Sequence, residues 1–152
     1  MSQLVYPDTN IYFRPFDNWL NTRIALEAEA CLLFWNRVSS KQITCLSSVL
    51  IELEINKAPS LKKKQVQKFL TLVSKSFHLD DNVKELSQIL QKKFRIPPYD
   101  AVHLAFALEG KVDIFITCDD DILKKSLRLE KWLESEGFHL LIMNPIQWNH
   151  FN

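Results

Sequence analysis

The sequence has little glycine, no marked net charge and no long apolar run. Only two of its 152 residues are glycine and 47% are hydrophobic, a composition that excludes collagen-like, low-complexity and disordered proteins. Nineteen Lys and Arg residues balance eighteen Asp and Glu residues to a formal charge of +1. This balance excludes a global electrostatic attraction to nucleic acid, so any such attraction must come from a local arrangement of charges.

Cysteine is also scarce. Cys31, Cys45 and Cys118 are an odd number without a CxxC pair, which excludes a disulfide framework and a metal finger. No apolar segment approaches the ~18 residues of a membrane span, and the first residues lack the basic and apolar pattern of a secretory leader. We therefore expect reduced cysteines, no membrane contact and a cytoplasmic location.

Apolar runs and amphipathic segments alternate along a chain whose length suits one domain over residues 1–152. Short apolar runs predict strands at 4–6, 43–46, 77–79, 112–117 and 138–143. Helical spacing predicts helices at 20–38, 49–55, 61–76, 83–94 and 99–108, and one or two short ones before Gly137. Asn82 and Glu85 indicate a capping box, and Gly110 indicates a left-handed helix end.

The predicted strands are too apolar for a sheet with one wet face. They favour an α/β domain in which a mostly parallel sheet lies between helix layers. Ligands bind beyond the carboxyl ends of the strands in such sheets. Asp8 and Asp119 follow two of the strands, and helix starts carrying Glu52, Glu54 and Asp100 should open on the same side. The sequence therefore predicts a rim of carboxylates.

Carboxylates gathered without basic partners repel one another, and a divalent cation removes that cost. Oxygen ligands without His or Cys select hard ions such as Mg²⁺ or Mn²⁺. One such ion lowers the pKa of a bound water, and a second stabilises a leaving oxygen. The predicted chemistry is hydrolysis of a phosphodiester.

Four short motifs carry a family resemblance. Asp8-Thr9-Asn10, a serine-led helix with an early glutamate, Asp100-Ala101-Val102-His103-Leu104-Ala105 and Thr117-x-Asp119 resemble the PIN domain family in order and rough spacing. The resemblance covers nearly the whole chain and extends to VapC-like toxin ribonucleases. It implies a three-layer α/β/α sandwich and an endonuclease that cleaves single-stranded RNA with Mg²⁺ or Mn²⁺. The implied ligands and catalytic residues are Asp8, Glu54, Asp100 and Asp119, and the implied partners are a cognate antitoxin and, since dimers are common in the family, a second copy in a homodimer.

The identity of the second acid stays open at this point. Glu54 follows Ser48 by the family's spacing and precedes an aliphatic residue, which favours it over Glu52. Glu52 and Glu54 are two positions apart on a predicted helix and therefore point about 200° away from each other, so only one of them can face the metal. Asn10 and Thr117 either hold waters and carboxylates or satisfy turns, Asp121 is a candidate auxiliary ligand, and Asp120 is expected to be solvated.

Three further features have alternative interpretations. His103 is expected to be packed or hydrogen-bonded rather than a catalytic base. Basic runs at 62–64, 92–95 and 124–128 are typical of solvated helix faces but could also track phosphates beside the acids. The alternative function is a non-catalytic PIN-like module that binds nucleic acid or a partner.

Overall fold

The computed structural model describes residues 3–151, which contain five strands and nine α-helices. The strands β1 to β5 are Gln3–Pro7, Ile43–Ser48, Lys75–Phe77, Ile114–Ile116 and Leu141–Met143. The helices α1 to α9 are Thr9–Phe13, Thr22–Ser39, Val49–Asn56, Ser60–Leu70, Asp81–Phe94, Pro98–Glu109, Asp120–Lys124, Ser126–Ser135 and Pro145–Phe151. A single 3-10 turn, Arg14–Phe16, follows α1.

All five strands are parallel and lie in the order β3-β2-β1-β4-β5. Val5 of β1 is level with Cys45 of β2 on one side and with Ile114 of β4 on the other. Helices flank this sheet, so the central strands are buried on both faces. The α/β class and the parallel sheet between helix layers are confirmed, and all five carboxyl ends lie along one edge.

The core combines the central strands with an aromatic cluster. Tyr6 and Phe115 are fully buried on neighbouring strands and stack with ring centroids 5.8 Å apart. Trp35 of α2 stacks on Phe69 of α4 at 4.7 Å. The three cysteines are buried free thiols, as expected. No helix within residues 3–151 is long and apolar enough to cross a membrane.

The segment after α4 differs from the prediction. The predicted helix 61–76 is too long, because α4 ends at Leu70 and Lys75 begins β3. Ser74 donates its backbone N–H to the carbonyl of Cys45 at 2.9 Å, and Ser76 lies level with Ser47. Backbone pairing with β2 therefore overrides the helical spacing of the side chains.

Two predicted helix ends are also wrong. Asp80 caps α5 through the N–H of Val83 at 2.8 Å, in place of Asn82. Gly110 has φ −77°, and the left-handed residue is Lys111. Glycine is needed at 110 for a different reason: a Cβ there would lie 2.8 Å from Cε2 of Phe77.

The end of the chain contains less strand and more helix than predicted. The predicted strand 138–143 is shorter, since only Leu141–Met143 pairs with β4. The sequence patterns did not predict α9, which packs on α2 and brings the fully buried Trp148 against Phe34 at 5.3 Å between ring centroids.

Candidate functional site

Asp8 lies where the order of strands changes direction. From β1 the chain builds outward to β2 and β3, and it then crosses to β4 and β5 on the other side of β1. Ligands bind beyond the strand ends at such a switch point. The N–H of Asp8 continues the sheet by donating to the carbonyl of Ile116 at 2.8 Å, and its side chain caps α1 by accepting from the N–H of Thr9 at 2.8 Å. Asp8 is only 5% exposed, so this carboxylate has a defined orientation.

Thr117 and Asn10 hold the other oxygen of that carboxylate. The Thr117 hydroxyl donates to Asp8 Oδ2 at 2.8 Å and accepts from Asn10 Nδ2 at 3.2 Å and from the N–H of Asp119 at 3.0 Å. Asn10 Oδ1 in turn accepts from the N–H of Cys118 at 3.0 Å. These two residues therefore tie the end of β1 to the end of β4 and position the carboxylate.

Asp119 combines a capping role with its place at the strand end. Its Oδ1 accepts from the N–H of Asp121 at 2.8 Å and caps α7. Asp121 is exposed and joins this contact through its backbone. Asp120 is not simply solvated, since it makes a two-point ion pair with Arg23, with N–O distances of 2.9 and 2.6 Å.

Glu54 lies in the acidic cluster and Glu52 does not. Ser48 caps α3, and Glu54 projects from that helix to accept from Thr9 Oγ1 at 2.7 Å. Glu52 is exposed and borders a separate surface depression with Gln67 of α4. The side chains of Glu52 and Glu54 point in opposite directions, as expected for two residues that are two positions apart on one helix.

Asp100 lies in the first turn of α6, and the charges of the other three candidate acids influence its pKa. Burial, followed by the negative charges of Asp8 and Asp119, raises the pKa of Asp100 to about 6. The charge of His103 opposes this rise, and that of Glu54 adds to it. The charges of Asp8, Glu54 and Asp119 all act on Asp100, so the four acids share one electrostatic environment at this edge of the sheet.

His103 lies at the centre of the acids and is only 1% exposed. Its Nδ1 contacts the Tyr6 hydroxyl at 2.8 Å, and its Nε2 lies 2.5 Å from Glu54 Oε1 and 3.7 Å from Asp8 Oδ1. Burial lowers the pKa of His103, but the Glu54 hydrogen bond and the charges of Asp8 and Glu54 outweigh it and raise that pKa. These contacts favour the protonated imidazole over the neutral one.

The two acids beside His103 respond in opposite directions. Burial is the largest influence on Asp8 and raises its pKa, although the charge of His103 and the Thr117 hydrogen bond oppose it. Burial also acts to raise the pKa of Glu54, but the hydrogen bond and charge of His103 prevail and lower it. Glu54 is consequently the carboxylate most firmly paired with the imidazole.

Sequence reasoning missed the support behind His103. The Tyr6 hydroxyl also contacts Ser48 Oγ at 2.7 Å, so a buried chain of contacts runs from Ser48 through Tyr6 and His103 to Glu54. A tyrosine at the end of a buried strand is a signal that could have been used, because a buried hydroxyl needs a polar partner. The Tyr6 hydroxyl thus holds the imidazole at Nδ1, on the side of the ring away from Glu54.

Comparison with solved structures matches this chain to one in the crystal structure of VapBC2 from Rickettsia felis bound to a DNA fragment from their promoter. The match covers 93% of this chain and 98% of that chain, with a TM-score of 0.59 and 13% sequence identity. The fold is PIN-like. No protein-family model matches, and neither does any curated protein sequence.

The acidic cluster offers oxygen donors of the kind that suit a hard cation. Four carboxylates lie at one sheet edge, and burial, followed by the charges of Asp8 and Asp119, raises the pKa of Asp100, a cost that a cation would relieve. Within residues 3–151, no three His, Cys, Asp or Glu side chains form a ready-made cation site. The donor chemistry fits Mg²⁺ or Mn²⁺, and sharing one ion requires the carboxylates to move closer together.

Proposed function

We propose that this protein is a metal-dependent endoribonuclease that cleaves single-stranded RNA as the toxin of a toxin–antitoxin pair. The observation that supports the proposal is the shared electrostatic environment of Asp8, Glu54, Asp100 and Asp119 at the switch point of a PIN-like sheet. Phosphodiester substrates are anionic, so a site made of four carboxylates needs cations before it can accept one.

Asp8, Glu54, Asp100 and Asp119 would hold Mg²⁺ or Mn²⁺. When bound, the metal lowers the pKa of a water molecule and stabilises the leaving oxygen. Attack by water rather than by the ribose 2′-hydroxyl leaves a 3′-hydroxyl and a 5′-phosphate.

The chain's own residues orient the carboxylates for this task. Thr117 and Asn10 fix one oxygen of Asp8, and the N–H of Thr9 fixes the other. The Thr9 hydroxyl also donates to Glu54, which joins the two acids through one residue. Contacts of this kind around metal-binding carboxylates commonly change metal affinity or activity about 10–100-fold when removed. Thr117 and Asn10 are therefore positioning residues in this proposal.

The proposed partner is an antitoxin protein. The structural neighbour belongs to a VapBC2 complex, which supports a protein partner for this chain as well. In the proposal a segment of the antitoxin covers the acidic cluster and prevents RNA from reaching it. A homodimer of the toxin is compatible with this arrangement and remains part of the proposal.

The test incubates purified protein with end-labelled single-stranded RNA in Mn²⁺, in Mg²⁺ and in excess EDTA. We expect cleavage with either metal, none in EDTA, and products whose new 5′ ends are degraded by a 5′-phosphate-dependent exonuclease. The Asp8→Asn variant, purified in parallel, controls for contaminating ribonuclease. Full cleavage in EDTA would contradict the proposal.

A second candidate is a non-catalytic PIN-like module that binds nucleic acid or a partner. Its support is the position of His103, which contacts Glu54 in the place where a cation would act on the acids. The same assay separates the two functions. The module binds RNA without cleaving it in Mn²⁺, whereas the nuclease cleaves it.

A further inference from the structure

Two of the three basic runs meet in one groove. The end of α5 and the junction of α7 with α8 enclose a recess of about 370 Å³ lined by Lys93, Phe94, Arg95, Lys125 and Arg128. Four of these five residues are cationic and none is acidic. We propose that this basic groove binds the phosphate backbone of a single-stranded RNA substrate, which rests on the nuclease function proposed above.

Aromatic rings hold two of the cations in place. Lys93 Nζ lies 5.7 Å from the centre of the Trp132 ring, and the Arg128 guanidinium lies 5.6 Å from that of Phe94. The two rings contact each other edge to face at 5.5 Å. Such contacts restrict a charged side chain without neutralising it. These contacts favour positions of Lys93 and Arg128 at the groove before a ligand binds.

The charge of the groove is available to a ligand. Across residues 3–151, none of Lys93, Arg95, Lys125 and Arg128 forms an ion pair with a carboxylate. Lys125 Nζ instead donates to the backbone carbonyl of Arg95 at 3.2 Å, which joins the two sides of the groove. Arg23 differs, because Asp120 and Glu27 already pair with it.

The groove adjoins the acidic cluster through two chain segments. Lys125 follows α7, a helix of five residues that begins directly after Asp119 and is therefore about 7.5 Å long. Arg95 directly follows α5, and only Ile96 and Pro97 separate it from α6, which carries Asp100 in its first turn. RNA approaching the carboxylates meets their repulsion, and cations beside the cluster offset it. Such a groove can hold the part of the strand that flanks the scissile bond.

The lining of the recess favours a single strand. It combines four cations with the ring of Phe94, and Lys93 also lies over the ring of Trp132. Grooves that combine cations with aromatic side chains are typical of proteins that bind single strands without strong sequence preference. We therefore expect affinity governed by phosphate contacts and by salt.

The experiment measures binding without cleavage. Fluorescence anisotropy of a short labelled oligouridylate in excess EDTA gives the dissociation constant at several salt concentrations. Loss of two phosphate contacts in the Lys93→Gln/Arg128→Gln double variant should flatten the slope of log K against log salt by about 1.4, and it should weaken binding about 25-fold near 0.1 M salt. The Lys93→Arg/Arg128→Lys variant keeps both charges and should restore the slope.

The matched control removes two exposed cations elsewhere. Lys84 lies near the start of α5, and Lys111 precedes β4 at the opposite sheet edge from Asp119, so Lys84→Gln/Lys111→Gln should keep the wild-type slope. An unchanged slope in the groove variant, an equal change in the control, or equal affinity for duplex RNA would overturn the proposal. Groove-dependent binding without cleavage in Mn²⁺ would refute the nuclease and leave the groove standing. Cleavage in Mn²⁺ combined with an unchanged slope would refute the groove and leave the nuclease standing.

Discussion

The replacement of Glu54 by glutamine tests the choice of the second acid most directly. Glu54 accepts from Thr9 and His103 inside the cluster, whereas Glu52 faces solvent two residues earlier. Removal of contacts around a metal ligand commonly costs about 10–100-fold in activity, so loss of a ligand should cost at least about 100-fold. Glu54→Gln should therefore reduce the cleavage rate by that factor or more, and Glu52→Gln should change it less than about twofold.

The loss of activity should not come from unfolding. Glutamine keeps an oxygen that can accept from Thr9 or His103, so a charge-assisted hydrogen bond of about 1.5–3 kcal/mol becomes a neutral one of about 0.5–1.5 kcal/mol. The difference is about 1 kcal/mol, against a total of about 5–15 kcal/mol for an ordinary domain. Glu54→Gln should stay folded at 25 °C.

The assay compares initial cleavage rates of the two variants at saturating Mn²⁺, after circular dichroism and urea unfolding have shown that both fold. Equal charge changes two residues apart on α3 make Glu52→Gln a close control. Near-normal cleavage by Glu54→Gln with strong loss in Glu52→Gln would refute the assignment. Equal, small effects would remove α3 from the metal site altogether.

Three further predictions concern the other acids and the packing. Asp8→Asn should abolish cleavage without lowering the midpoint of urea unfolding in EDTA, because it removes one of several repelling charges; a large destabilisation would contradict this. The pKa of Asp100 is raised to about 6 in the folded protein, against about 3.9 in the unfolded chain. The contribution of Asp100 to stability is therefore greatest below about pH 3.9 and is lost as the pH rises through about 6. The metal-free protein should melt at a higher temperature near pH 5 than near pH 7.5, and Asp100→Asn should reduce that difference. Gly110→Ala should cost about 1–3 kcal/mol in urea unfolding, since its Cβ would overpack against Phe77; Gly137→Ala, which meets open space at φ +88°, should cost about 1–2 kcal/mol from backbone strain alone.

The central part of the fold could be predicted because its signals are local. Buried apolar runs at 4–6 and 112–117 became β1 and β4, and helical spacing at 20–38 became α2. The edge strands β3 and β5 were predicted at 77–79 and 138–143, but they span Lys75–Phe77 and Leu141–Met143. Backbone pairing with β2 and β4 decides where they begin, and a local pattern contains no information about that pairing.

The acids could be predicted for the same reason, but the contacts around them could not. A carboxylate after a strand of a parallel sheet has one available edge, which places Asp8 and Asp119 together, and the start of α6 brings Asp100 to the same edge. Tyr6 and His103 lie 97 positions apart, and Tyr6 and Ser48 lie 42 apart. Such contacts follow only from the packing of α3 and α6 on β1.

His103 explains how the cluster can exist before a metal binds. Uncompensated burial of several carboxylates is costly, and the sequence offered no Lys or Arg beside them. The imidazole lies 3.7 Å from Asp8 and contacts Glu54, and the Tyr6 hydroxyl holds it from behind. A bound cation would act on the same carboxylates that His103 contacts, so we expect metal and imidazole to compete for them. His103→Gln should therefore bind Mn²⁺ more tightly while being less stable in EDTA, which calorimetric titration and urea unfolding measure independently; weaker Mn²⁺ binding by a folded variant would show that His103 assists the metal instead.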